Sequence, residues 1–242
     1  MQKECLYCGE DKIEFYVCRK KVKNVNLKIT LAAEVIVSAS DAVSLDYIKG
    51  FVKSKSAWVI KKIRYFNELK IAVRERKYES GEYFNYLGKP YRLEISKNEN
   101  ISVRVEDGYI FLAAFDINNV KLKKSILDNW YKAQAAVKFR EIFEKAFLMV
   151  QKYQFKKPEL AIKTLKTKWG SYSYRKNEIT LNAALIKAPE SCIEYVVLHE
   201  LTHLKYKNHD KNFYFFLSSL VPDWKKKKEI LNREIIKEIC NL

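Results

Sequence analysis

All three histidines of this 242-residue chain fall within eleven residues, at 199, 203 and 209. Positions four apart on an α-helix stack on one face, so His199 and His203 present two imidazole nitrogens to a common point only if the residues around them are helical. His209 joins them only if that helix ends soon after His203 and the chain turns back. Asn208, a residue type that tolerates the left-handed conformation, is the expected site of the reversal. The fold must therefore supply a helix that runs through His-Glu-Leu-Thr-His at residues 199–203 and then stops.

Three imidazoles brought together in this way make the donor set of one zinc ion, Zn2+. Glu200, next to the first histidine, is the residue that reaches water beside such an ion as general base and later returns the proton to the leaving group. The offset from His203 to His209 equals that of the metzincin motif, although the glycine which that motif puts between them is Tyr206 here. A ligand histidine gives its other N–H to an acceptor. Asp210, Glu194 and Asp223 are the acids considered, each with a capping or exposed role as its plainer reading. A structural zinc site takes four protein ligands, and Cys192, the nearest thiol, lies about 10 Å away along a helix axis. Hydrolysis is therefore the expected chemistry.

The chain is 48% hydrophobic with 14% aromatic residues, enough for the core of one large domain or two small ones. No run approaches the ~18 apolar residues of a membrane span, and the start MQKECLYCGEDK lacks the apolar stretch of a secretory signal. The expected location is cytoplasmic, with no membrane partner. Five cysteines, Cys5, Cys8, Cys18, Cys192 and Cys240, are an odd number in a chain too large to need disulfide staples. Reduced thiols are the simpler reading. Cys5 and Cys8 have the spacing of half a zinc site, with Cys18 as a third ligand, but no fourth is near. Lys and Arg number 46 against 29 Asp and Glu, a formal charge of +17. That field attracts polyanions and makes nucleic acid a candidate partner through a basic surface, although the lysines are spread along the whole chain.

Short β-branched stretches over residues 13–37 read as a strand meander with turns near Asn24 and at Ala32 and Ala33. Ser44 caps a helix beginning at Leu45, and a second helix runs over residues 57–76, with Trp58, Val59, Ile63 and Phe66 on its apolar stripe. Four more strands follow over residues 82–114, with Asp107-Gly108 as a hairpin turn. Residues 120–153 lack Gly and Pro and form one long amphipathic helix, its stripe including Ile126, Trp130, Val137, Ile142, Ala146 and Val150. A strand at 160–165, a loop at 168–173 and a strand at 178–182 precede a helix from Pro189 through the histidines. Asp210 caps the next helix, through Leu220, and residues 222–239 close the chain. No internal repeat is visible.

The run LNAALIKAPESCIEYVVLHELTHLKYKNHDKNFY, with KWGSYS upstream and VPDWKKKKEIL downstream, resembles the signature of the YgjP-like metallopeptidases, relatives of the SprT-type proteases. CRKKVKNVNLKIT, EVIVSAS and FVKSKSAWVIKKI are similar to the same family, so the resemblance covers most of the chain. It implies an α+β fold: a strand-rich N-terminal region with helices over residues 1–118, and a zincin-like helical domain with a small sheet over residues 119–242. It implies a zinc ion on His199, His203 and His209, catalytic Glu200, and a peptide or protein substrate. It further implies an edge strand that pairs with extended substrate, at Glu178–Asn182, with Ile179 and Leu181 as substrate-binding positions. Trp169, Gly170, Ser171 and Tyr172 are expected beside them. Tyr172 stands where the family usually has cysteine, and either packs beside the metal helix or donates its phenol to a developing oxyanion. Two other functions stay open: a zinc hydrolase of a non-peptide substrate such as a nucleotide, and a basic nucleic-acid-associated protein with structural zinc.

Overall fold

Alternating apolar residues in the strand segments each give a sheet with one buried face. The computed structural model describes residues 2–30, 33–72, 76–165 and 168–239, with side chains outside 68–72 and 233–239. Ala32, Cys240 and residues 73–75 of the expected second helix lie outside the described residues. The α+β chain divides into two compact units, Met1–Glu75 with Ile236–Leu242, and Arg76–Ile235.

In the first unit β1 (Gln2–Cys8), β2 (Asp11–Arg19), β3 (Asn26–Ile29) and β4 (Val35–Ala39) form a sheet in the order β1-β2-β4-β3. It is not the expected meander. β4 lies parallel to β2 and antiparallel to β3, because the inward residues Phe15 and Val17 pair in register with Val35 and Val37. Putting the two most apolar strands side by side buries both. The N-terminal residues, not anticipated as a strand, are paired to β2 through a turn at Gly9 with φ 65°. Cys5, Cys8 and Cys18 sit on β1 and β2 as free thiols, and among the described residues they form no cluster spaced for a metal. The Ser44 hydroxyl accepts the Tyr47 N–H at 3.2 Å to start α1 (Leu45–Ser54), and α2 (Ser56–Ala72) follows. Ile48, Val52 and Val59 cover the sheet, whereas Trp58 is 47% exposed and off the expected stripe.

The second unit begins with β5 (Tyr83–Tyr86), β6 (Lys89–Lys97), β7 (Ser102–Glu106) and β8 (Tyr109–Ala114), ordered β5-β6-β8-β7. After α3 (Val120–Val150) come β9 (Glu159–Lys163), β10 (Gly170–Ser173) and β11 (Glu178–Asn182), ordered β10-β11-β9. All three sheets share one plan: a strand, then a hairpin whose second strand returns parallel beside the first. This repeat is invisible in the sequence because alternation and turn position carry it, not residue identity. Residues 170–173, expected as loop, are the edge strand β10. Glu178–Asn182, expected at the edge, is the central strand, with Ile179 and Leu181 fully buried.

α3 buries Tyr131, Ala135, Phe139, Ile142, Ala146 and Val150 against α4 (Glu190–Thr202) and its neighbours. Val137, expected in that seam, is 72% exposed because the seam runs through the residues two positions either side of it. α5 (Lys211–Leu220) and α6 (Trp224–Ile239), the latter as far as Ile235, complete the unit. The start of α4 is tied to the β5–β6 hairpin. Leu87 and Gly88 donate their N–H groups to the carbonyls of Ile186 at 2.8 Å and Lys187 at 3.2 Å, in the 3-10 turn Ala183–Lys187. Pro189 caps the helix from outside rather than opening it. Gly88 has φ +80°, and a Cβ there would lie 2.7 Å from the Pro189 Cα. Gly88→Ala is therefore expected to lower unfolding free energy by about 2–4 kcal/mol, from left-handed strain plus overpacking. Chemical denaturation measures this, and a loss under about 0.5 kcal/mol would contradict the packing described.

Candidate active site

The exit of α4 decides where His209 goes. Lys205 and Tyr206 donate their N–H groups to the Thr202 carbonyl at 3.1 and 3.0 Å, so the reversal is spread over residues 203–206. Asn208 does not adopt the expected left-handed conformation. Asp210 Oδ1 accepts the Phe213 N–H at 3.0 Å and starts α5, which fixes His209 immediately before the cap. The Nε2 atoms of His199 and His209 lie 2.9 Å apart, and one ring nitrogen from each of the three histidines falls within 4.8 Å of the others. Phe213, fully buried, floors the cluster, its ring centroid 4.9, 4.8 and 4.6 Å from those of His199, His203 and His209.

The environment keeps these imidazoles neutral. Burial pulls His199 down to about 3, helped by His203, His209 and the Lys228 ammonium. Burial also lowers His209, with His203 and Lys228 adding to it, and lowers His203 against the opposing hydrogen bond to Tyr206. His203 Nδ1 lies 3.0 Å from the Tyr206 carbonyl, which only accepts, so that nitrogen carries the proton and Nε2 keeps its lone pair. For His203 the acceptor is thus backbone, while Asp210 caps α5 and Asp223 pairs with Lys227 at 2.9 Å. The Nδ1 atom of His199 is buried with no partner among the described residues. Three neutral imidazoles converging over an apolar floor fit a single divalent ion.

Glu200 is 6% exposed on the face of α4 that meets β10. The Asn182 N–H donates to the Trp169 carbonyl at 2.7 Å, so backbone groups at alternate positions 169, 171 and 173 face β11. Those of Gly170 and Tyr172 face outward, and the Tyr172 N–H donates to the Glu200 carboxylate. A Cβ at Gly170 would stand 2.9 Å from Glu200 Oε1 and 3.0 Å from its Cγ. Only glycine allows this approach. Burial pushes the Glu200 carboxyl up to about 7, against the Lys168 ammonium and the Tyr172 N–H, which both favour the carboxylate.

The other anticipated positions divide. Tyr172 donates its phenol to Asn177 Oδ1 at 2.8 Å, which commits that proton away from the histidines. Ser171 lies on β10 opposite Thr180, while Ile179 and Leu181 belong to the core beneath. Trp169 lines a cavity of about 340 Å³ beside His199 and Glu200, with Tyr195 and Tyr214 also in its wall. Phe213 and Tyr195 were not anticipated. Tyr195 stands four residues before His199, a helical-face signal that the sequence does carry. Among the described residues no helix is long and apolar enough to cross a membrane.

A helix-borne histidine pair, a third histidine after a reversal and a buried glutamate between them define a metallopeptidase-type site. Residues 23–234 match the model of the YgjP-like, metallopeptidase domain family, and the chain belongs to that family. Membership carries with it a metal and a peptide or protein substrate. Among solved structures, the metallopeptidase zymogen of Pyrococcus abyssi abylysin is 28% identical, with a TM-score of 0.34, over 39% of this chain and 90% of that one. The metallopeptidase zymogen of Methanocaldococcus jannaschii jannalysin is 23% identical, with a TM-score of 0.34, over 38% and 84%. No curated protein matches the chain.

Burial of Glu200 has a stability signature. Its folded pKa, about 7, is above its unfolded value of 4.5, so the proton binds the folded state more tightly. The resulting stability is fully present below pH 4.5 and lost as pH rises through 7, a change of about 3 kcal/mol. In chelator-treated protein, Glu200→Gln should therefore be more stable than wild type at pH 8, with the gap closing towards pH 4.5. Denaturant titrations across that range test it, and a pH-independent gap would contradict the burial.

Proposed function

We propose that the chain is a zinc-dependent peptidase in which His199, His203 and His209 hold one zinc ion and Glu200 is the general base. The observation that carries this reading is the convergence of three neutral imidazoles beside a buried carboxyl whose pKa, about 7, suits proton transfer near neutrality. When bound, zinc supplies Lewis acidity that polarises the scissile carbonyl and makes water nucleophilic near neutral pH.

Glu200 takes the proton of the attacking water on a carboxylate oxygen, shielded from bulk solvent by its own burial. It then delivers that proton to the leaving amide nitrogen. The Tyr172 N–H holds the carboxylate in place, and Gly170 supplies the room for it. Substrate pairing falls to the edge strand β10, where the outward backbone groups of Gly170 and the Tyr172 carbonyl offer an extended peptide its hydrogen bonds. Ser171 keeps that strand in register, and Ile179 and Leu181 support it from the core. The catalytic segment in this reading is residues 119–242, and the free thiols suit a reducing, cytoplasmic setting.

Glu200→Gln should retain one zinc per chain and lose peptide hydrolysis by at least about 10³-fold, whereas His209→Ala should lose zinc as well. Metal analysis beside a fluorogenic peptide assay, with chelation and zinc restoration, separates the two. Turnover surviving in Glu200→Gln would remove Glu200 from the mechanism. Gly170→Ala displaces Glu200 by a few tenths of an ångström and should cut kcat about 10- to 100-fold with zinc content unchanged.

A further inference from the structure

The cavity beside His199 and His209 sets two cations and several hydrogen-bond donors among the apolar side chains of Val196 and Leu231. It extends one turn back along α4 to Tyr195, and α6 contributes Lys228 and Asn232. Lys168 and Trp169 enter from the segment before β10. The Trp169 ring lines the wall, with its Nε1 buried and without an acceptor among the described residues. Tyr195 is 5% exposed, and among the described residues its hydroxyl has no hydrogen bond. Glu200 is the one acid in the wall, and its carboxylate already accepts the Tyr172 N–H.

Neither lysine is neutralised among the described residues. Lys228 is exposed, with its ammonium 5.8 Å over the Trp224 ring, and has no carboxylate partner. Lys168 likewise has none. Both charges are felt inside the site, Lys228 by His199 and His209, and Lys168 by Glu200. A concave wall carrying two cations with no carboxylate partner among the described residues, beside the Tyr195 hydroxyl, favours an anionic acceptor. At about 340 Å³ the cavity holds one side chain or a chain end, not an extended polyanion.

We infer that this cavity is a specificity pocket for a substrate carboxylate, recognised by Lys168 and Lys228 with Tyr195 as a hydrogen-bond donor. The inference rests on the peptidase reading above and narrows it to peptides cut close to a carboxylate. That group is either an internal aspartate or glutamate side chain or the substrate's own C-terminus.

The test uses the zinc-loaded full chain as wild type, Lys228→Glu and, as a control of identical net charge, Lys226→Glu on the exposed side of the same helix. Zinc content is matched across the three. Substrates are fluorogenic alanine-based hexapeptides carrying one glutamate, glutamine or lysine at each position, as free acids and as amides. Wild type and Lys226→Glu should prefer glutamate over lysine at one position, or the free acid over the amide, by at least tenfold in kcat/KM. Lys228→Glu should abolish or invert that preference. Loss of the preference on amidation assigns the pocket to the C-terminal carboxylate, and its survival assigns it to the side chain. Equal rates for all peptides in wild type, or the same change in Lys226→Glu as in Lys228→Glu, would overturn the pocket and leave the peptidase reading standing.

Absence of any peptide cleavage would count against the peptidase reading instead. Fluorescence polarisation of a labelled glutamate hexapeptide and its lysine counterpart then decides the pocket. At least tenfold tighter binding of the former, lost in Lys228→Glu, supports it, and equal binding overturns it. Nucleoside triphosphate hydrolysis that depends on Lys228, without any carboxylate preference, would assign the lysines to phosphate and also overturn the inference.

Discussion

The packing of three imidazoles on the Phe213 ring is the contact on which the site depends. It needs α4 to end at Thr202, the chain to reverse over four residues, and Asp210 to start α5 at once. Partial burial is the first cause that lowers each of the three. The arrangement has a cost. A buried His199 Nδ1 without a partner among the described residues forfeits about 1–3 kcal/mol, a local conflict of the kind that functional sites carry.

The second constraint is the close approach of β10 to α4. Each of the three sheets inserts the second strand of a hairpin beside an earlier parallel strand, which leaves the hairpin's first strand at an edge. In the third sheet that edge is β10, and Gly170 lets it come within contact of Glu200. The same topology that gives the first two sheets their order thus sets a backbone edge of the sheet beside the Glu200 carboxyl. Burial between strand and helix keeps Glu200 protonatable near pH 7.

Local chemistry was legible in the sequence, and tertiary placement was not. Ser44 and Asp210 cap the helices that they were expected to cap, and Asp107-Gly108 turns its hairpin, because each effect lies within four residues of its cause. The long helix from Val120 was readable from its uninterrupted pattern, but Val137 was misassigned because several phases of a 31-residue helix look apolar. Residues 170–173 did not read as a strand, since Gly-Ser-Tyr-Ser has no alternation, and only pairing with Thr180 and Ile179 makes one. Which of two strands is the edge depends on long-range pairing, so Glu178–Asn182 was taken for the wrong one. The histidine triad was visible from spacing alone. Its floor, its backbone acceptor at Tyr206 and the donor-lined cavity all come from residues brought together by the fold.

In the proposed site three imidazoles and no fourth protein group hold one zinc ion beside Glu200. The most direct test is the coordination shell of the metal-loaded protein, by anomalous diffraction at the zinc edge with X-ray absorption on the same preparation. One zinc per chain is expected, bound by His199, His203 and His209, with the remaining position open to solvent on the Glu200 side. A fourth protein ligand closing the shell, or an ion bound away from these histidines, would contradict it.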